Sequence, residues 1–255
     1  MKSKILITIE VIAFVVLIGL LGIYAKDKDD IAKAKKAASN IKNTVRIAQY
    51  GNSNNVSVGE VKSGSGTSVK NPDEVAKEEV RKIESLHPNV KAILIIPGTD
   101  IVFPVVHGED NEFYLNHDKD GNPSKFGEIF IDYRNNEKFK DQNTVIYGHN
   151  ISYAKVMFSE LLNYKNQDFF EAHKKIMVYT AEGLNLYEVQ SVFVANPNEP
   201  YRSISFKDNE YSEFTKKYFD KSEVKSDFKE SSSMLTLSTC FDDNSRLVIQ
   251  AVRVK

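Results

Sequence analysis

The chain contains no tryptophan and only one cysteine, Cys240, in 255 residues. A single cysteine excludes an intrachain disulfide, so the fold must be stabilised by its packed core. The aromatic residues are 12 Tyr and 15 Phe, and this composition favours a β-rich core. The lone thiol is therefore free to have a role other than cross-linking.

Neither sign of charge is in excess, because 34 Lys and Arg residues balance 35 Asp and Glu residues, for a net charge of −1. A chain without a basic excess lacks the field that attracts nucleic acid, so no nucleic-acid partner is predicted. The sequence also shows no internal repeat with a period of about 20–50 residues.

One long hydrophobic run is present, from Ile5 to Tyr24, with Glu10 as its one charged residue. A helix of this length rises about 30 Å, the thickness of a bilayer's hydrocarbon core. The alternative is a cleaved signal peptide, whose apolar region is usually about 7–15 residues long and ends at a small-residue cleavage site. The sequence GIYAKD does not fit such a site, so residues 1–25 are predicted to be a short tail and an uncleaved transmembrane anchor. Lysines flank the run on both sides, and the positive-inside rule does not decide its orientation.

Residues 26–71 have the composition of a spacer. Ala and Lys dominate as far as about Gln49, and apolar residues are too sparse for a core-facing stripe, which predicts an exposed stalk helix. From Tyr50 to Asn71 the sequence is rich in Gly, Ser and Asn, which is typical of a flexible tether.

Residues 72–255 are predicted to form the folded domain, which opens with a helix. Asn71 and Pro72 suit the N-cap and the first helical position, and Pro88 ends the helix. Its apolar stripe consists of Val75, Val80, Ile83 and Leu86.

Beyond Pro88 the sequence predicts eight short strands, each rich in β-branched or aromatic residues and bounded by turn residues. The predicted strands are Ala92–Ile96, Ile101–Val106, Glu128–Ile131, Thr144–Tyr147, Lys175–Thr180, Leu186–Val194, Met234–Thr239 and Arg246–Val254. A mainly β fold follows, either a closed barrel or a sandwich. Two helical insertions are predicted, over residues 154–174 and 206–221, and the second presents Tyr211, Phe214 and Tyr218 at helical spacing for packing on the sheet.

A cysteine nucleophile needs a basic or cationic partner that holds it as a reactive thiolate. Of five histidines, His149 is distinct, because NTVIYGHN delivers it just after an apolar strand, where a side chain is held rigidly and stays exposed. Arg246 opens the last predicted strand. An arginine cannot act as a base, since its pKa exceeds about 12, but it can bind an oxyanion. The predicted roles are nucleophile for Cys240, proton shuttle for His149 and electrophilic stabiliser for Arg246. Spacing alone does not show that the three meet.

The segment HDKDGN, residues 117–122, contains acidic residues in a calcium-loop-like order. An EF-hand loop needs Gly at its sixth position and Glu at its twelfth. Gly121 and Ile129 stand at the fourth and twelfth positions here, so the segment is predicted to be a turn. No metal and no cofactor are predicted.

The pentapeptide TLSTC at residues 236–240, an arginine opening the last strand and YGHN at residues 147–150 together resemble the sortase family of cysteine transpeptidases. The resemblance runs from about His87 to the C-terminus. It implies an eight-stranded closed β-barrel preceded by a membrane anchor, and it matches His149, Cys240 and Arg246 to the family's catalytic positions. The segment from Phe103 to Asn136 is similar to the class B pattern, which implies that substrate is bound by Asn111, Leu115, Tyr201 and Ser238.

The resemblance implies a reaction and a location as well. A C-terminal sorting signal on a secreted surface protein is cleaved after Thr, a thioacyl intermediate forms on Cys240, and an amine of a peptidoglycan precursor accepts the protein. Because these partners are outside the cell, the expectation is a single-pass protein of the cell membrane with a cytoplasmic N-terminus, an anchor at residues 5–24 and an extracellular catalytic domain. The loop FDDNS between Cys240 and Arg246 is shorter than in many members of the family, so the acceptor side of the groove is left undefined.

Two other readings stay open from the residues alone. A papain-like cysteine protease predicts the cysteine before the histidine, the reverse of the order seen here. A membrane-tethered module that binds without catalysis predicts a buried and inert thiol at Cys240.

Overall fold

The computed structural model describes residues 2–44 and 72–254. The tether predicted at residues 50–71 and the end of the predicted stalk lie outside the described residues. Helix α1 (Lys2–Thr44) runs without interruption through the predicted anchor and the Ala- and Lys-rich stretch. None of the helices in the part of the chain that the structure describes has the length and apolar content needed to cross a membrane, so the predicted anchor at residues 5–24 is not confirmed.

The folded domain opens with helix α2 (Pro72–Leu86), as the cap residues predict. Val80 is fully buried and Ile83 partly buried, and both pack on one hydrophobic cluster of the sheet. Leu86 is 69% exposed, so its assignment to the apolar stripe is wrong: it is the last residue of the helix, where the chain turns towards Pro88. The Val75 side chain lies outside the described residues.

Eight strands close into the predicted barrel. They are β1 (Val90–Ile95), β2 (Val102–His107), β3 (Phe130–Ile131), β4 (Asn143–Tyr147), β7 (Lys175–Thr180), β8 (Gly183–Ala195), β9 (Met234–Asp242) and β10 (Ser245–Arg253). Their order around the barrel is β1-β2-β3-β4-β9-β10-β8-β7. The pairs β2–β3 and β4–β9 are parallel, and the other neighbours are antiparallel. Closure removes the exposed strand edges, so backbone polar groups of the domain find partners within the sheet.

The first insertion was predicted to be helical over residues 154–174. That prediction is wrong at its start, where the structure has a short strand. β5 (Asn150–Ile151) and β6 (Val156–Met157) form a small separate hairpin. A 3₁₀ helix at Phe158–Lys165 and helix α3 (Gln167–Ala172) follow. Ile151 and Val156 are β-branched and pair with each other, which favours strand over helix at this point.

The second insertion contains helix α4 (Glu210–Asp220), and its aromatic face packs on the sheet as predicted. Tyr211, Phe214 and Tyr218 belong to one cluster with Phe193 and Val248 of strands β8 and β10. Burial of these large side chains fixes the segment between β8 and β9 on the outside of the barrel, next to the strands that carry the predicted site.

Strand β9 is longer than the sequence predicts. The prediction ends it at Thr239, but the strand continues through Cys240 to Asp242. The reason is the short hairpin turn of Asp243 and Asn244, which pairs Asp242 with Ser245 and so extends the antiparallel ladder past the cysteine. Cys240 therefore lies within a strand and not at its exit.

Candidate active site

Two of the three predicted catalytic residues lie on adjacent strands, and the third, His149, is the second residue after a neighbouring strand. β9 lies between β4 and β10. Tyr147 of β4 is opposite Ser238 of β9, so His149 and Cys240 each lie two residues further along. Cys240 is in turn opposite Arg246 of β10. The register therefore brings all three to one region of the barrel, with the cysteine in the middle.

Cys240 and Arg246 face each other across the hairpin. Directly opposed residues of an antiparallel pair project from the same face, with Cβ atoms about 4.5–5.5 Å apart. Both residues are half-buried, so the thiol is not sealed in apolar packing. The Arg246 guanidinium donates from Nη1 to the Ser245 carbonyl oxygen at 3.0 Å. This arrangement leaves a thiol and a fixed cation side by side at an accessible surface.

His149 is delivered by a tight passage of the chain. A Cβ on Gly148 would lie 2.3 Å from Ile129 Cδ1 and 2.8 Å from Phe158 Cδ2, so only glycine fits there. The Gly148 N–H donates to the Ser238 carbonyl at 3.3 Å, which continues the contact between the two strands past Tyr147. The glycine thus allows the histidine to follow the strand while staying close to β9.

The imidazole of His149 is hydrogen-bonded to the loop that was predicted to bind substrate. Its Nε2 lies 2.8 Å from the Leu115 carbonyl oxygen. A carbonyl oxygen only accepts, so Nε2 carries a proton and donates it. His149 and Leu115 are therefore in direct contact, through the Leu115 backbone and not through its side chain.

The loop that carries Leu115 is a 3₁₀ turn, Phe113–Leu115, held closely against the chain before β3. Gly127 has φ +60°, and a Cβ there would lie 2.4 Å from the Tyr114 carbonyl oxygen and 2.7 Å from that of Leu115. Asn111 accepts from the Tyr133 N–H through Oδ1 at 3.0 Å. The Leu115 side chain is 41% exposed, as a surface that meets a peptide requires.

Tyr201 and Ser238 are brought together but are buried. The Tyr201 hydroxyl and Ser238 Oγ are 3.1 Å apart, and the residues are 1% and 2% exposed. In this structure they form a support beneath the surface. Direct contact of these two with substrate stays a prediction.

An ion-pair network next to the site was not predicted from the sequence. Asp132, after β3, is fully buried and accepts from Arg134 Nε at 2.8 Å, from Arg134 Nη2 at 2.7 Å and from the Tyr147 hydroxyl at 2.8 Å. Arg134 Nη2 also donates to the Arg202 carbonyl oxygen at 3.1 Å. The network therefore joins the strand before His149 to the segment that carries Tyr201.

Burial opposes ionisation of Asp132, but hydrogen bonds from Arg134 and Tyr147 outweigh it and hold the pKa of Asp132 below its ordinary value. Asp132→Asn places an amide N–H₂ against these donors. We expect the free energy of unfolding at pH 7 to fall by about 3 kcal/mol, the low end for a broken buried pair, because Arg134 is partly exposed. Urea titration measures it, with the exposed Asp227→Asn as the matched control.

The loss of unfolding free energy in Asp132→Asn should depend on pH in a defined way. Because the folded-state pKa of Asp132 is depressed, its stabilisation is present above the unfolded pKa, about 3.9, and is lost as the pH falls through the folded value. The difference in the free energy of unfolding between wild type and Asp132→Asn should therefore be constant from pH 5 to pH 7 and become smaller below about pH 4. A gap that widens in acid would contradict the assignment of the charge to Asp132.

The segment HDKDGN forms the predicted turn. Asp118 Oδ1 accepts from the Asp120 and Asn122 N–H groups, both at 2.9 Å, so backbone donors engage the first carboxylate of the turn. Nearby, His87 Nδ1 is hydrogen-bonded to Asp120.

Comparison with known proteins identifies the class. The sortase domain family matches residues 94–254. Sortase B of Listeria monocytogenes is 32% identical over 183 residues, which is 68% of this chain and 73% of that protein. Sortase B of Staphylococcus aureus is 30% identical over 189 residues, covering 71% and 77%. The X-ray structure of Clostridium perfringens sortase B is 33% identical, with a TM-score of 0.64, and covers 69% of this chain and 99% of that one.

This chain belongs to the sortase family of cysteine transpeptidases. Within the family its relatives are class B sortases, and its closed eight-stranded barrel matches theirs. The resemblance inferred from TLSTC and YGHN is confirmed at the level of family and fold.

Proposed function

We propose that this enzyme cleaves the sorting signal of a surface protein after Thr and transfers the protein to an amine of peptidoglycan, with Cys240, His149 and Arg246 as its catalytic residues. The observation that carries the proposal is the strand register, in which Cys240 is opposite Arg246 and level with His149. A thiol, an imidazole and a guanidinium can supply the nucleophile, the proton carrier and the oxyanion donor of acyl transfer through a thioester.

The reaction proceeds in two acyl transfers. The Cys240 thiolate attacks the carbonyl carbon of the substrate Thr, and the Arg246 guanidinium hydrogen-bonds the oxyanion that develops. The C–N bond then breaks as His149, in its imidazolium form, donates a proton to the leaving amine. In the second transfer an acceptor amine attacks the thioester, loses a proton to His149 and forms a new amide, which releases the thiolate.

The substrate groove in this proposal runs past Asn111 and the Leu115 side chain. Leu115 is exposed and adjoins His149 through its carbonyl, so an apolar side chain of the signal packed on Leu115 would lie near the imidazole. Tyr201 and Ser238 then fix the β9 surface from below. This places the specificity of the groove on the 3₁₀ turn.

Membrane attachment is part of the proposal and rests on the sequence. In the sequence, residues 5–24 form an apolar run as long as a typical bilayer-spanning segment, and the apolar side chains of α1 that the structure describes in this stretch are exposed, with Ile12 at 58% and Ile23 at 64%. A cytoplasmic N-terminus puts the catalytic domain where secreted proteins and wall precursors are found. Extraction of cell fractions with carbonate and with detergent tests it: release by carbonate alone contradicts an integral anchor.

The function is tested with the purified domain and a panel of quenched peptides that carry sorting motifs of the NPxTN and xPxTG types. The expected result is cleavage after Thr with at least one peptide, and capture of the acyl group as the hydroxamate when hydroxylamine is added. Cleavage that yields only the free acid in the presence of hydroxylamine and triglycine favours a cysteine protease. No cleavage of any peptide, with an inert thiol, favours a binding module.

Arg246→Lys separates charge from geometry. Lysine keeps the cation but loses the planar set of donors that a guanidinium presents. We expect kcat to fall about 10²-fold, the loss typical of one oxyanion donor, with little change in KM. Arg253→Lys, at the far end of the same strand, is the matched control and should retain wild-type kcat. An unchanged kcat for Arg246→Lys would remove the guanidinium from the oxyanion role.

A further inference from the structure

Asn150 connects the two segments that carry the proposed nucleophile and proton shuttle. It follows His149 directly and opens β5, and its Nδ2 donates to the Cys240 carbonyl oxygen at 3.1 Å. The backbone contact between β4 and β9 reaches as far as the bond from Gly148 to Ser238. The Asn150 side chain carries the connection two residues further, to the cysteine itself.

The other end of the amide is unsatisfied. Asn150 Oδ1 is buried and has no hydrogen-bond partner among the described residues. A buried acceptor without a partner lowers stability, and a leucine of similar shape would avoid that loss. The unpaired oxygen offsets part of the stability that the amide contributes, so the bond from its Nδ2 is a candidate for a role in the site.

The segment around Asn150 is held firmly on its far side. The Phe158 N–H donates to the His149 carbonyl at 2.9 Å, and the Ile151 N–H donates to Ser159 Oγ at 2.8 Å. Asn150 itself is paired with Met157 in the β5–β6 hairpin. The donor that reaches Cys240 thus extends from a rigid support, as a group that sets a distance must.

We propose that Asn150 is a positioning residue that sets the separation between the His149 ring and the Cys240 sulfur by binding the cysteine's carbonyl. The inference rests on the proposed function, in which Cys240 and His149 are the reacting pair. It assigns no contact with substrate to Asn150 itself. Its side chain acts through the peptide group of Cys240. Loss of the bond lets the cysteine and the histidine drift apart, and a displacement of about 1 Å at reacting groups costs on the order of 10²-fold in rate.

Two variants test the donor separately from the acceptor. Asn150→Leu removes both ends of the amide and also removes the unpaired buried oxygen. Asn150→Asp keeps the acceptor, has nearly the same shape and loses the N–H₂. We expect both to lower kcat on a sorting peptide by about 10–100-fold with KM within about twofold, and Asn150→Leu to unfold near the wild-type temperature, because removal of the unpaired oxygen offsets the lost bond to the Cys240 carbonyl. The exposed Asn209→Leu, just before α4, is the matched control.

A second readout does not depend on the sorting peptide. The rate of alkylation of Cys240 by iodoacetamide, measured from pH 5 to pH 9, depends on the groups that surround the sulfur. We expect the profile of Asn150→Leu to differ from that of wild type while Asn209→Leu follows wild type. If wild type cleaves no peptide, the proposed function fails and this profile still decides the role of Asn150.

Three results overturn the proposal. One is a kcat within threefold of wild type for both variants. Another is a loss of kcat that is accompanied by a lowered unfolding temperature in both variants, with an unchanged alkylation profile, which would make Asn150 merely structural. The third is full activity in Asn150→Asp alone, which would transfer the role to the acceptor oxygen.

Discussion

Replacement of Cys240 by alanine should abolish both cleavage and transfer, with a loss on the order of 10⁴-fold or more, because nothing else in the proposed site can form the thioester. Cys240→Ser should be nearly as inactive, since a hydroxyl lacks the acidity that makes a thiol usable near neutral pH. Peptide cleavage followed by mass spectrometry measures both reactions.

The Cys240 experiment also separates an enzyme from a binding module. The cysteine side chain is half-buried in the last third of β9, and neither substitution enlarges it, so folding should be retained. Peptide affinity measured with Cys240→Ala should stay near that of wild type, because the proposed groove residues Asn111 and Leu115 are untouched. Retained cleavage by Cys240→Ala would end the assignment of the nucleophile, and retained biological function with Cys240→Ser would favour a module that only binds.

His149→Ala should lower kcat by about 10²–10⁴-fold, the range for a lost general acid–base group. Wild type should show a bell-shaped dependence of kcat/KM on pH, because the thiolate and the imidazolium are needed together. In His149→Ala the limb that reports the imidazole should disappear. His173→Gln, at the end of α3, is the matched control and should keep the wild-type profile.

The structure adds a specific expectation for His149. Its Nε2 donates to the Leu115 carbonyl, so displacement of the 3₁₀ turn should disturb the histidine even when the imidazole is intact. Gly127→Ala forces such a displacement, because its Cβ would overlap the Tyr114 carbonyl oxygen.

A bell-shaped profile that is unaltered in His149→Ala would show that another group moves the proton.

Local sequence pattern was sufficient to predict the eight strands of the barrel. Each strand is a short run of β-branched or aromatic residues, and β7 was predicted to its exact ends. Boundaries failed where a turn was too short to recognise, as at β9, whose ladder extends past Thr239 because two residues suffice to reverse the chain. The hairpin at Asn150–Met157 was missed because two-residue strands carry no periodic signal.

The candidate site was predictable only in part. Residue types and the family resemblance indicated His149, Cys240 and Arg246, since each belongs to a recognisable motif in or next to a predicted strand. The partners of these residues depend on contacts between distant parts of the chain, which spacing does not reveal. The bond from His149 to Leu115 joins residues 34 apart, and that from Asn150 to Cys240 joins residues 90 apart.

The turn of Asp243 and Asn244 joins the strands that carry the thiol and the guanidinium of this site, whereas the imidazole comes from a distant part of the sequence. Sulfur and guanidinium share a single hairpin, so their spacing is set as soon as that ribbon forms. The imidazole arrives from about ninety residues upstream and depends on closure of the whole barrel. Contacts between distant segments are also the later ones to form in folding. A partly unfolded enzyme should therefore keep a thiol beside its cation and lose the histidine first, so that reactivity towards alkylating agents outlasts the ability to join peptides.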